Sequence, residues 1–212
     1  GYDFVSDVDT ANDGDGRDAD PSDPGDWTDF VGQCYGGSPA LKSSWHGTHV
    51  AGTIAANSNN NSDVAGVNWA AGILPVRVLG TCGGWSSDIA DGMRWASGLP
   101  VPGAPPNSHP ADVLNLSLGG SGACSITYQT ALDDIAAAGV VVVVAAGNSA
   151  DDASGYRPGN CNHVITVAAT DRTGDMSWYS NYGSTIEISA PGGDTSGNSA
   201  NGILSTLNAG AK

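Results

Sequence analysis

Five consecutive valines, Val140–Val144, lead into Ala145-Ala146-Gly147-Asn148. The run from Val140 to Ala146 is apolar on both parities and far too short to cross a bilayer, so it reads as a strand covered on both faces. Such strands belong to parallel sheets. Three other segments repeat the pattern: Ile73–Leu79, Asp112–Leu118 and Val164–Thr170. Helical patterns alternate with them, at Ser44–Ala56, Asp88–Ser97 and Thr127–Ala138, the last followed by Gly139 as a C-cap. This alternation predicts an α/β fold, a mostly parallel sheet with helices on both faces. In such sheets chemistry gathers beyond the carboxyl ends of the strands. The loops Gly80–Gly84, Gly119–Gly120 and Gly147–Asn148 all fall there.

The 212 residues amount to one domain's worth of chain, with no internal repeat and no interdomain linker. A net charge of -15 and the absence of any Lys/Arg cluster argue against a nucleic-acid partner, and none is expected. No apolar stretch suits a membrane, and these residues contain no basic, apolar N-terminal leader, so any targeting segment is expected outside this chain. Glu187 is the only glutamate, and the aspartates crowd into the first thirty residues. Asp13, Asp15, Asp18, Asp20 and Asp23 alternate with glycine, alanine and other small residues, a loop whose carboxylates could converge on a hard cation. The glutamate that closes an EF-hand is missing, and a solvated acidic loop is the ordinary alternative. Four widely spaced cysteines, Cys34, Cys82, Cys124 and Cys161, form no CxxC pair. Zinc is disfavoured, and two disulfides in an oxidising compartment fit, with three pairings open.

The segment Ser44-Trp45-His46-Gly47-Thr48-His49-Val50-Ala51-Gly52-Thr53-Ile54-Ala55-Ala56 reads as a helix with His46 in its first turn. The helix dipole disfavours an imidazolium there, so His46 is expected as a neutral base, the form a serine nucleophile needs. Gly47, Ala51 and Gly52 leave room for another segment to pack close. An HxxH pair is most often structural, and the zinc-protease HExxH requires a glutamate that does not follow His46.

Read whole, HGTHVAGTIAA resembles the active-site histidine segment of the subtilisin-like serine proteases, family S8. Three more segments match that family in order. Val76-Arg77-Val78-Leu79-Gly80, with Cys82-Gly83-Gly84, resembles the strand and loop that pair with an extended substrate. Asn115-Leu116-Ser117-Leu118-Gly119-Gly120 resembles the opposite wall of the cleft, and Val144-Ala145-Ala146-Gly147-Asn148 the segment whose asparagine completes the oxyanion hole. The resemblance implies a three-layer subtilisin-like fold. It implies His46 as general base, Asn148 as oxyanion donor, and Gly80, Cys82, Gly83, Gly84, Ser117, Leu118, Gly119, Gly120, Ala145, Ala146 and Gly147 as substrate-binding residues. Asn115 and a buried His49 are expected to be structural. It further implies disulfides Cys34–Cys82 and Cys124–Cys161, and structural calcium. The calcium ligands would be the acidic loop and a second set at Asn162, Val164 and Glu187.

Two family motifs are not found in these residues: the Asp-Thr/Ser-Gly strand end that supplies the catalytic aspartate, and the Gly-Thr-Ser-Met-Ala helix start that supplies the nucleophile. Segments like Gly1–Phe4 and Ile203–Thr206 adjoin them in the family. The chain is therefore expected to be the central part of one catalytic domain, truncated at both ends and inactive by itself. The full protein is expected to be a secreted, monomeric serine endopeptidase acting on polypeptides. A non-catalytic subtilase-like domain that binds calcium or peptide is the alternative.

Overall fold

The computed structural model describes residues 1–210. The chain divides into two compact units. One comprises Gly1–Gly92, Val101–Pro105 and the segment from Leu204, and the other Met93–Pro100 and Pro106–Ile203.

In the first unit, β1 (Tyr2–Asp3) pairs in parallel with β2 (Val76–Arg77). The expected strand Ile73–Leu79 contracts to two residues, because only Val76 and Arg77 meet a partner strand. The short helix α1 (Val8–Ala11) follows, capped by Asp7, whose side chain accepts the Thr10 N–H at 2.8 Å. The helix α2 (His46–Ala55) carries the HGTH segment, and α3 (Ser86–Ala96) follows the Gly80–Gly84 loop. Gly92 of α3 is where the valines of the β2 segment and Phe4 close in; a Cβ there would collide with Val78.

Charge is buried in this unit with its partners. The Arg77 guanidinium, 7% exposed, binds the carboxylate of the fully buried Asp3, the Ala11 carbonyl, and Asp13 at 2.7 Å. Burial pushes the Asp3 carboxyl above its ordinary value, against the Val5 N–H and Arg77, which hold it down. Arg17 reaches Asp88 at 2.5 Å and Asp91 at 2.8 Å, and stacks 5.4 Å from the Phe4 ring centroid. Two arginines thus fasten the acidic N-terminal loop to the elements beneath it.

The second unit is built on a four-stranded parallel sheet in the order β3 (Val113–Leu116), β5 (Val141–Ala145), β7 (Ile165–Thr170), β8 (Ile188–Pro191). Leu114, Leu116, Val142, Val144, Thr166 and Ala168 are buried on one face. The helix α4 (Ile126–Ala137) packs on β5 and buries Tyr128, Ala131, Leu132 and Ile135. Ser125 caps α4 through the Tyr128 N–H at 3.3 Å, and Gly139 beyond its end takes φ +81. The opposite face carries Val113, Val141, Ile165 and Ile188, each more than a third exposed. A small antiparallel ladder joins β4 (Gly120–Ser121) to β6 (Tyr156–Arg157).

Both disulfides are the pairs that the family resemblance implies: Cys34–Cys82 in the first unit and Cys124–Cys161 in the second. Among the described residues no helix is long and apolar enough to cross a membrane.

Candidate active site

His46 is the first residue of α2, and its side chain is exposed. The residue before it, Trp45, sits in the left-handed region at φ 51 and turns the chain sharply into the helix. Its indole is buried and donates to the Gly210 carbonyl at 2.8 Å. Ser44 is held by Asp26, which accepts its N–H at 2.6 Å and its hydroxyl at 2.7 Å. The entry to the helix is therefore fixed on both sides while the imidazole stays open. His49, expected buried, is half-exposed one turn further on.

A second segment lies along α2. The Ser205 hydroxyl donates to the His49 carbonyl at 2.6 Å, and the Thr206 hydroxyl to the Thr48 carbonyl at 2.8 Å. With Gly210 at Trp45, rising chain number steps down the helix numbering. The segment runs antiparallel to α2, toward the end that bears His46. Gly52 makes this approach possible: a Cβ there would overlap Thr206 and lie 2.6 Å from the Ser205 hydroxyl oxygen. Gly47, by contrast, faces nothing among the described residues.

At the Gly80–Gly84 loop, Gly80 and Gly83 exchange backbone hydrogen bonds of 2.9 and 3.1 Å, closing a tight turn around Thr81 and Cys82. Cys82, at φ 69, is anchored there by its disulfide to Cys34. Gly80 is buried against the Thr10 carbonyl, so its role is close packing; Cys82 and Gly84 are exposed.

The second unit places its predicted residues at strand ends. In parallel register, Leu116 lies opposite Val144, so Ser117–Gly120 and Ala145–Asn148 leave the sheet side by side at its carboxyl edge. Gly120 pairs with Arg157, and Ser117 accepts a hydrogen bond from the Asn115 amide at 3.0 Å. Ala146 is buried and donates its N–H to the Val167 carbonyl at 2.9 Å; Gly147 turns away at φ 108. Asn148 then projects exposed, and its carboxamide makes no hydrogen bond among the described residues. The buried Asn181 sits against this turn. Nothing in the sequence around it, Ser180-Asn181-Tyr182-Gly183, separates it from an ordinary turn asparagine.

The cation ligands inferred from sequence are mixed in their surroundings. Asp18, Asp20 and Asp23 each accept a backbone N–H, from Asp20, Ser22 and Gly25, at 2.6 to 3.0 Å. The Asp18 carboxylate beside Asp15, with partial loss of water and Asp13 adding to it, pushes the Asp15 carboxyl above its ordinary value. Glu187 accepts the Thr166 N–H at 2.5 Å. In the Asn162–Val164 loop the neighbouring Asn160 side-chain oxygen is buried and has no donor facing it, while its amide nitrogen donates to Gly122 and Ser154. Among the described residues, no three histidine, cysteine or acidic side chains gather as a ready metal cage.

An exposed imidazole opening a helix is chemically able to accept a proton, and an unengaged carboxamide beyond a parallel strand is able to donate a hydrogen bond. Residues 4–211 match the Subtilase family, Peptidase S8. The chain is 54% identical over 210 residues to an extracellular protease of Xanthomonas campestris pv. campestris, covering 99% of this chain and 35% of the relative. It is 47% identical over 215 residues to an extracellular basic protease of Dichelobacter nodosus, covering 99% and 34%. Among solved structures, a protease from Pseudoalteromonas arctica PAMC 21717 superposes with a TM-score of 0.97 at 56% identity, over 100% of this chain and 62% of that one. The chain belongs to the subtilase family, with its subtilisin-like α/β fold. It spans about a third of the length of the curated relatives it matches.

Proposed function

We propose that the whole protein is a secreted serine endopeptidase that hydrolyses polypeptides, with His46 and Asn148 in its catalytic machinery. The observation that carries this reading is the course of Ser205–Gly210 along α2 toward His46. In subtilases the serine follows a segment like this one, and the course of Ser205–Gly210 toward His46 would suit its delivery to the imidazole. His46 would take the proton from the serine hydroxyl as it attacks the scissile carbonyl, then give it to the departing amine. Asn148 would donate its amide N–H to the oxyanion of the tetrahedral intermediate. Extracellular action is supported by the names of the two relatives above and by two disulfides, which persist in oxidising compartments.

Calcium belongs to the same proposal, as structural support. The loop from Asp13 to Asp23 would hold one ion, since Asp15 is crowded by Asp18 and Asp13 and Arg77 neutralises only Asp13 among these three. Carbonyls at Asn162 and Val164 with Glu187 would hold another; the orphaned Asn160 oxygen marks that loop as short of donors. Bound there, the ion would neutralise carboxylates and tie loops to the fold.

The discriminating experiment is Asn148→Ala in the full-length enzyme. It should lower kcat about 10²–10³-fold, ~2.7–4 kcal/mol, the range known for the oxyanion-hole asparagine of a subtilisin, with KM nearly unchanged. The amide meets the oxygen only once it carries charge, so it stabilises the transition state and not the ground state. An increase in KM at constant kcat would make Asn148 a substrate-binding group, an unaltered kcat/KM would remove it from the oxyanion site, and no turnover by the unsubstituted full-length protein would favour a peptide-binding domain.

A further inference from the structure

Asn181 is fully buried, on the loop that follows β7, and every polar atom of its side chain is engaged on the turn that carries Asn148. Its amide nitrogen donates to the Ala146 carbonyl at 2.9 Å. Its side-chain oxygen accepts the N–H of Ser149 at 2.8 Å and of Asp151 at 3.3 Å. Its own backbone N–H donates to the Gly147 carbonyl at 3.1 Å. These bonds grip the chain on both sides of Asn148 and leave the Asn148 side chain unengaged. Gly147 belongs to the same device. At φ +108 it has no Cβ, and one placed there would overlap the Asn181 amide nitrogen.

The chemistry singles out a carboxamide. Only a side chain that donates from one end and accepts at the other can bridge a carbonyl before the turn and N–H groups after it. A buried group so satisfied fixes one arrangement, whereas a half-satisfied one forces the turn to adjust. A donor to an oxyanion works by being aimed before charge develops, and a small displacement of such a group weakens it disproportionately.

We propose that Asn181 is the positioning residue for Asn148: it holds the Ala146–Asp151 turn so that the Asn148 amide is aimed before the oxyanion forms, without touching substrate itself. The proposal rests on Asn148 being the oxyanion donor and goes one step beyond that reading.

The test is a double-mutant cycle in the full-length enzyme, with rates normalised to active sites titrated by a covalent serine-directed inhibitor. Asn181→Asp keeps the shape and the acceptor bonds but removes the donor to Ala146. It should lower kcat about 10- to 100-fold with KM little changed. In the Asn148→Ala background the same substitution should cost much less, because the group it aims is gone. Equal losses in both backgrounds, or no loss in the first, would overturn the proposal. If Asn148→Ala itself leaves kcat unchanged, the oxyanion reading fails and takes this proposal with it, a result distinct from the previous two. Should Asn181→Asp not accumulate as folded enzyme, Asn181→Ser is read by the same cycle. If neither variant folds, Asn181 is a determinant of the fold and the positioning role is rejected.

Discussion

Gly52 shows what one missing Cβ does. Inside a helix, alanine is ordinarily better than glycine by about 1 kcal/mol. At Gly52 that gain is outweighed, because the added carbon meets Thr206, including its backbone nitrogen at 2.9 Å, and a backbone atom cannot rotate away. Gly52→Ala should therefore destabilise the folded protein by roughly 1–3 kcal/mol, the cost of overpacking. It should also reduce turnover in the full-length enzyme by lifting the Ser205–Gly210 segment off α2. Denaturant unfolding and steady-state kinetics on one preparation check both; a variant as stable and active as its parent would show that the segment is free to move. His46 and Asn148 stand out in the sequence as candidates because each lies in a long characteristic word. Asn181 does not, since its role exists only once the fold brings it against Gly147.

Among the elements, those with local signals were readable and those made by distant pairing were not. The helix α4 announces itself through its cap, its buried stripe and Gly139, and β3, β5 and β7 through continuous apolar runs. The apolar run at Ile73–Leu79 promised a full strand, but an extended segment is a strand only where a neighbour pairs with it. Only Val76 and Arg77 have one, at Tyr2 and Asp3. The strand β8, with Ser189 and Pro191 in its four residues, gave no apolar run to notice. Neither pairing of cysteines follows from spacing alone; both came from family resemblance. The bridges close separations of 48 and 37 residues, so loss of chain entropy in the unfolded state assigns each about 4 kcal/mol. Selective reduction should lower the urea midpoint accordingly, one step per bridge, and peptide mapping without reduction should recover these two linkages.

For the molecule as a whole, the excess of acid is the dominant long-range fact. Twenty-two carboxylates against seven lysines and arginines, with many of the carboxylates in the first thirty residues, oppose compaction. Arg77 and Arg17 answer part of this locally, at Asp3 and Asp13 and at Asp88 and Asp91. Calcium would answer more. A ligand that binds only the native state stabilises it by mass action, about 2.7 kcal/mol at a hundredfold excess over Kd. Chelation should then lower the melting temperature and hasten autolysis of the full-length enzyme, and added calcium should reverse both. Melting curves that coincide with and without chelator would leave the arginines as the only counter-charges of the loop.

The bare side of the β3–β5–β7–β8 sheet has a consequence for handling these residues in isolation. Val113, Val141, Ile165 and Ile188 line a surface that water covers only at a cost, and a second copy can cover it instead. Mutual repulsion between acidic copies is the barrier to that encounter, and dissolved salt shortens its reach. Expressed alone, the stretch should behave as a colloid held apart by charge, clearest in dilute buffer and progressively turbid as ionic strength rises, which light scattering across a salt series would read.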